Sequence, residues 1–428
     1  MKLAHNYIYK PNKRQQIIIG CLSYASARLF NIGNYERHNW TKDSGEDYPN
    51  WYKQKKELKT NFWYKNLPSQ SAQETLKILD KSWKSFYKLI DKYKKGDLED
   101  KPKPPYYKPK DSKYNVRYLN NGFKFIDNKF RLSIPKQLKG YLQEKYSIDD
   151  KYIWLEIPKF LPINKDTKVK QMEFKPLKDN TYKVSIIVDI PNVEPIKDNG
   201  NYLSIDLGIS NLMTCYDNCN ENSFIISGKQ WLSINRYFDK TISHYQSIAN
   251  AQQNRNNKKP ASTKRIKNLY RKRRRKLDHL LHAATKTIVD YCIENNISKV
   301  IVGDLKNVRK DTNFGKKTNQ KIHKLPFAKI YKLLKYKLAK SGISITKQKE
   351  HYTSQCSPHS KKVTKKYAKR SNRKYRGLYV DEDYNSTYNA DSVGAFNIMR
   401  KHLKRKLPIG NLSNPSTYKW IDNKFKIA

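Results

Sequence analysis

A chain of 428 residues with 88 Lys and Arg against 38 Asp and Glu carries a formal net charge of +50. Self-repulsion on that scale disfavours a folded chain unless a polyanion neutralises it. Five cysteines in this length make no disulfide framework and suit a reducing compartment. The first residues lack the apolar core of a signal peptide, and no apolar run approaches the roughly 18 residues of a membrane span. A secreted disulfide scaffold and an integral membrane protein are excluded, and a soluble intracellular protein is expected. The 32 tyrosines add flat surfaces for base stacking and hydroxyls for phosphates, so nucleic acid is the expected partner.

Residues 1–10 predict one short strand around Tyr7-Ile8-Tyr9, ending at Pro11, and residues 11–99 predict helices. The clearest helix covers 69–90 behind Pro68. Ala72, Leu76, Leu79, Trp83, Phe86 and Ile90 fall on one face at steps of three and four. Lys77, Lys81, Lys84 and Lys88 occupy the other, as a solvated face or a phosphate track. Pro102, Pro104, Pro105 and Pro109 mark a stiff extended linker. From about 113 to 192 the pattern is β, with strands at 116–119, 123–126, 129–132, 153–157 and 182–188. Turns lie at Asn120-Asn121-Gly122 and Lys178-Asp179-Asn180. A small barrel or sandwich closes such a set, with the first strand completing it.

From residue 201 the chain reads as α/β. The stretch Leu203-Ser204-Ile205-Asp206-Leu207-Gly208 alternates as a half-buried strand does, with a carboxylate near its end. That acid either opens a surface turn or faces a cleft as a ligand for a divalent cation. Strands at 212–215 and 223–226 suggest a meander. A long basic helical region follows, broken near Pro260, and it includes Lys264, Arg265, Arg271, Arg273, Arg274 and Arg275. Such a run is a solvated face or a track for a nucleic-acid backbone. A strand at 299–304 and a helix at 326–340 lead to a strand ending at Glu350. In the last helix, from about Asn389, Asp391 shares a face with Ala395 and Ile398, so its carboxylate looks at the sheet. A carboxylate against apolar packing needs a compensating charge, which a metal ion supplies.

In order along the chain, several segments resemble the transposon-encoded TnpB proteins, RNA-guided DNA nucleases related to compact type V CRISPR effectors. Leu67-Pro68-Ser69-Gln70-Ser71-Ala72-Gln73 and the Pro-rich 101–109 segment resemble parts of the recognition lobe. Ser204-Ile205-Asp206-Leu207-Gly208, Ile301-Val302-Gly303-Asp304-Leu305 and the stretch from Asn389 to Ile398 resemble the three nuclease motifs, and Tyr352-Thr353-Ser354-Gln355-Cys356 the zinc-finger entry. The resemblance implies an α+β multidomain fold: an N-terminal wedge β-barrel with an inserted helical recognition module, then an RNase H-like (RuvC) α/β nuclease domain with a degenerate zinc-finger insertion. The expected boundaries are 1–10 and 100–195 for the barrel, 11–99 for the helical module and 200–352 for the nuclease domain. Residues 353–386 would form the finger, 387–402 the last nuclease helix and 403–428 a tail.

The activity implied is cleavage of double-stranded DNA complementary to a guide RNA, next to a short recognised motif. It would use two Mg²⁺ ions roughly 4 Å apart. Asp206 and Asp391 match the family's first and third acids. The second motif commonly holds Glu where this chain has Gly303, and Asp304 beside it should point away from the cleft. Glu350 is therefore expected to complete the triad, with Asp304 as the alternative. Structural zinc needs about four Cys or His ligands, yet only Cys356 and His359 are recognisable, so zinc is not expected. A weak site completed by Asp381 or Asp383 is the minor alternative. The basic segment around Arg370, Arg373 and Arg376 is expected to touch nucleic acid. The implied protein is a prokaryotic, cytoplasmic, nucleoid-associated monomer, alone or RNA-bound rather than dimeric. Two other readings stay open: a nuclease-inactive RNA-guided repressor, and a guide-free transposase-like enzyme.

Overall fold

Alternation of buried Tyr182, Val184, Ile186 and Val188 with half-buried neighbours makes residues 182–189 a strand buried on one face, and the N-terminal segment pairs with it along its whole length. In the computed structural model the chain divides into two units, Met1–Pro191 and Asn192–Ala428. The structure describes residues 1–177, 180–253, 260–305, 315, 319–320, 324–375 and 377–428.

In the first unit, β1 (Lys2–Tyr9) leads into α1 (Lys13–Asn39). Asn12 and Gln15 form a reciprocal capping box at the helix start. Then come α2 (Trp51–Glu57), α3 (Phe62–Lys65) and α4 (Ser69–Lys94). The expected stripe of α4 is buried at Ala72, Leu76, Leu79 and Trp83. An enclosed pair, Arg37 to Asp80 at 3.1 Å, ties α1 to α4. The Pro-rich linker is held on α1, where Asn34 donates to the Pro105 carbonyl and Asn31 bonds both backbone groups of Lys108.

The β part of this unit comprises β2 (Val116–Leu119), β3 (Phe123–Ile126), β4 (Lys129–Ser133), α5 (Lys136–Tyr146), β5 (Tyr152–Glu156), β6 (Lys168–Pro176) and β7 (Tyr182–Asp189). Of the barrel or sandwich expected, the strands form two antiparallel sheets, ordered β1-β7-β6-β2 and β3-β4-β5. No ladder joins them among the described residues. They share one apolar core that includes Tyr118, Phe130, Phe174 and Ile186.

The second unit is built on a seven-stranded sheet. Its meander is β8 (Tyr202–Asp206), β9 (Asn211–Asp217) and β10 (Asn222–Ser227), followed by α6 (Lys229–Gln252) and α7 (Lys264–Glu294). After these, β11 (Lys299–Asp304) lies parallel to β8, α8 (Phe327–Ala339) crosses over, and β12 (Ser344–Lys349) lies parallel to β11. The hairpin β13 (Leu378–Asp381) and β14 (Ser386–Asn389) precedes α9 (Ala390–Leu403). Residues 403–428, expected as a tail, instead supply β15 (Asn411–Ile421) and β16 (Lys424–Ile427), which extend the sheet beyond β10. Leu203, Ile205, Val300 and Val302 pack with residues of α7 and α8. On the other face Ile301 packs with Val393, Ala395 and Phe396 of α9. No helix among the described residues is long and apolar enough to cross a membrane.

Candidate active site

The pleat decides which side chains meet under α9. On β8, Ser204 faces α9 and donates to the Ala395 carbonyl at 2.7 Å, so Asp206, two residues on, faces it too. Its Oδ2 lies so close to Gly394 that a Cβ there would stand 2.5 Å away. A side chain at 394 would push this carboxylate aside. Asn389 caps α9 by accepting from the backbone N–H groups of Asp391 and Ser392. That fixes Asp391 in the first turn, where the helix dipole favours a negative charge. Asp391 accepts from Asn211 Nδ2 at 2.8 Å and from Arg373 Nη2 at 3.2 Å.

The third acid comes from beyond the end of β12. Gly303 pairs with Gln348 and Asp304 with Lys349, so Gln348 and Glu350 belong to the face of Gly303. The Glu350 carboxylate fills the room left by the missing side chain: a Cβ on Gly303 would stand 1.8 Å from Oε1. Asp304 lies on the opposite face and pairs with Lys347 at 3.0 Å. The structure thus brings Asp206, Glu350 and Asp391 to one side of the sheet and leaves Asp304 out.

Electrostatics link the three. Removal from water, followed by the charge of Asp391, raises the Asp206 pKa to about 7, with Arg373 opposing. Removal from water, then the charges of Asp206 and Asp304, raises that of Glu350 to about 8. Glu350 Oε1 is buried without a hydrogen-bond partner. Crowded, poorly hydrated carboxylate oxygens suit a hard divalent cation such as Mg²⁺. Among the described residues no three His, Cys, Asp or Glu side chains stand close enough together to hold a metal ion as they are placed here. Asp391 is instead engaged by Asn211 and Arg373.

The finger segment is held by hydrogen bonds. Cys356 Sγ donates to the Thr364 carbonyl at 3.4 Å. His359 bonds the Tyr388 hydroxyl at 2.9 Å and stacks on Tyr384, with ring centroids 4.0 Å apart. Asp381 accepts from Ser357, and Asp383 pairs with Lys369. These engagements do not fit a zinc ligand shell. From α9, Asn397 donates to the carbonyls of Thr353 and Cys356 at 2.9 and 2.7 Å. Arg400 donates to Ser357 O, Ser360 O and Asn397 Oδ1.

The basic residues expected to meet nucleic acid divide. Lys264, Arg271, Arg274, Arg275 and Arg370 are exposed. Arg273 is half-buried and engaged by Asn235 and Asp239, so it braces α7 against α6. Arg265 lies over the Tyr245 ring, 3.6 Å from its centroid. Arg373 reaches the candidate site, and Arg376 lies outside the described residues. Sequence reasoning gave no role to Asn211, Gly394 or Arg400. Only Gly394, within the third motif, carried a signal.

Residues 185–309 match the family model of a probable transposase, OrfB_IS605, and residues 327–398 match the Cas12f1-like TNB domain. The first span contains Asp206, Gly303 and Asp304, and the second Glu350 and Asp391. These matches accord with the TnpB family. The fold is similar to that of a Cas12f1 chain solved by cryo-EM in complex with sgRNA and target DNA. The TM-score is 0.59 at 16% identity, covering 90% of this chain and 83% of that one. A mini-RNA-guided endonuclease, CRISPR-Cas phi3, aligns over 96% of this chain and 93% of its own at 12% identity, with a TM-score of 0.45. No curated protein matches the chain by sequence.

Proposed function

We propose that this chain, with its probable-transposase and Cas12f1-like TNB segments, is an RNA-guided DNA endonuclease of the TnpB kind. Its partners are a guide RNA and double-stranded target DNA. The observation that carries the chemistry is the room over Gly303 filled by Glu350, beside Asp206 and under the start of α9. Asp206, Glu350 and Asp391 are the residues that would hold Mg²⁺. Bound there, the metal would activate water and stabilise the leaving oxygen of a phosphodiester. The chain's own contribution is to keep three carboxylates on one face with little water, so that their charge, met in part by Arg373, would be compensated by a divalent cation. Arg373, paired with Asp391, is placed to exchange that carboxylate for a phosphate oxygen. The similarity of the fold to a Cas12f1 chain solved with sgRNA and target DNA supports the guided reading.

The test is cleavage by full-length protein purified with the RNA that accompanies it from cells carrying the native locus. Sequencing that RNA defines a matching plasmid target. Mg²⁺-dependent linearisation of that target alone is expected, abolished in Asp206→Ala, Glu350→Ala and Asp391→Ala but retained in Asp304→Ala. Full cleavage by Glu350→Ala with loss in Asp304→Ala would reverse the assignment of the second acid. Binding of the guided target without cleavage by the wild type would make the protein a repressor instead.

A further inference from the structure

Apart from the acidic site, the first unit contains a cleft of about 660 Å³ among α1, α3 and α5. Its size is that of a small-ligand site. The walls are aromatic: Tyr24, Phe62, Trp63, Tyr141 and Tyr146 line it. Tyr24 and Trp63 meet edge to face with centroids 5.4 Å apart, which steadies the inner wall. Phe62, Tyr141 and Tyr146 are exposed, at 56%, 38% and 41% of their full surface. Aromatic rings left this open in a polar chain mark a contact surface rather than unfinished packing.

The charges are one-sided. Lys13 and Lys113 line the cleft, Lys145 lies over the rings of Tyr141 and Tyr146, and among the described residues no acidic one lines it. Gln16, Asn66 and Asn180 add amide groups, and Lys113 Nζ is held 3.2 Å from Asn180 Oδ1. A flat π-face, amides for hydrogen bonding and cations for an anion together match one chemical class, a nucleotide. Single-stranded or looped RNA presents splayed bases readily, whereas duplex DNA yields one only at the cost of unpairing.

We propose that this cleft receives an unpaired nucleotide of RNA, its base against the Trp63, Tyr141 and Tyr146 wall and its phosphate at Lys13 and Lys113. The inference rests on the reading of the protein as RNA-bound. It adds a place where RNA is gripped by the first unit alone.

The probe is a labelled ten-nucleotide single-stranded RNA of mixed sequence, with duplex DNA of the same sequence as the second arm. Full-length protein stripped of nucleic acid is titrated with each, and ultraviolet crosslinks are mapped by mass spectrometry. Tyr141→Ala/Tyr146→Ala and Lys113→Gln change exposed positions, and melting curves check that the fold is intact. Roughly tenfold weaker RNA binding is expected in each variant, with wild-type crosslinks on Tyr24, Trp63, Tyr141 or Tyr146 and DNA binding unchanged. Wild-type RNA affinity in both variants, with crosslinks only in residues 192–428, would overturn the cleft and leave guided cleavage standing. Equal loss of DNA binding would overturn the commitment to RNA, and absence of any RNA binding would overturn both readings.

Discussion

At the scale of single residues, the pair Gly303 and Glu350 concentrates the argument. Even one methyl group at 303 would force the Glu350 carboxylate out of its place. Gly303→Ala should therefore lower cleavage by roughly a hundredfold, the cost of misplacing a reacting group by about 1 Å. Assay of the variant beside a melting curve separates lost geometry from lost folding, and unimpaired cleavage would refute the placement. Protonation offers a second check. Asp206 and Glu350 hold their protons up to about 7 and 8 in the folded chain, whereas unfolded carboxyls release them near pH 4. Between these limits the folded state binds more protons, so stability is greatest below about pH 4 on this account and declines as pH rises to about 8. In EDTA at pH 8, Asp206→Asn should exceed the wild type in stability by about 1–3 kcal/mol. At pH 5 the difference should shrink, and Mg²⁺ should raise the wild type but not the variant. A wild type more stable than Asp206→Asn in EDTA at pH 8 would show that the site is not charge-frustrated.

At the scale of elements, residues 353–360 are tied to α9 by side-chain hydrogen bonds. Asn397 and Arg400 are buried, and their bonds satisfy carbonyls from Thr353 to Ser360. Asn397→Ala would strand two of those carbonyls and should cost about 2–4 kcal/mol, read as a lowered denaturation midpoint. In the Asp206→Asn background, where the acidic site no longer answers to metal, EDTA or added Zn²⁺ should leave the midpoint where it is, and Cys356→Ser should cost about 1 kcal/mol or less. A melting midpoint that falls in EDTA and returns with Zn²⁺ would refute a hydrogen-bonded finger. Here the sequence was legible only in part. The absent ligands at 379–383 were plain, but the network that replaces them joins residues some forty positions apart, and no local pattern records that. Likewise α5 and β6 escaped notice. Leu138 and Leu142 are the buried side chains of a helix otherwise largely exposed, and β6 interleaves charged residues along a strand buried mainly at Met172 and Phe174.

At the scale of the whole molecule, the strands of each sheet were legible where apolar residues alternate, while their closure was not. Pairing of β1 with β7 spans nearly the full first unit, and the choice of two sheets over a barrel lies in long-range packing. The C-terminal strands were missed for a related reason: Asn411–Ile421 is polar, and its partner β10 lies about two hundred residues earlier. Net charge, by contrast, needs no fold to be read. With +50 on 428 residues, association with nucleic acid should be driven largely by release of counterions, so the logarithm of affinity falls linearly with the logarithm of salt. For guided target DNA a slope steeper than about −5 is expected, equivalent to six or more phosphates neutralised. Exposed Arg271, Arg274 and Arg275 lie on one stretch of α7, and changing all three to Gln should make the slope shallower by about 2–3. The acidic centre should be untouched, so at saturating protein the cleavage rate should stay within a factor of a few. Titrations at four salt concentrations, wild type beside variant, decide the matter. An unchanged slope would assign these arginines to a solvated face, and a collapse of the saturated rate would place them at the chemistry instead.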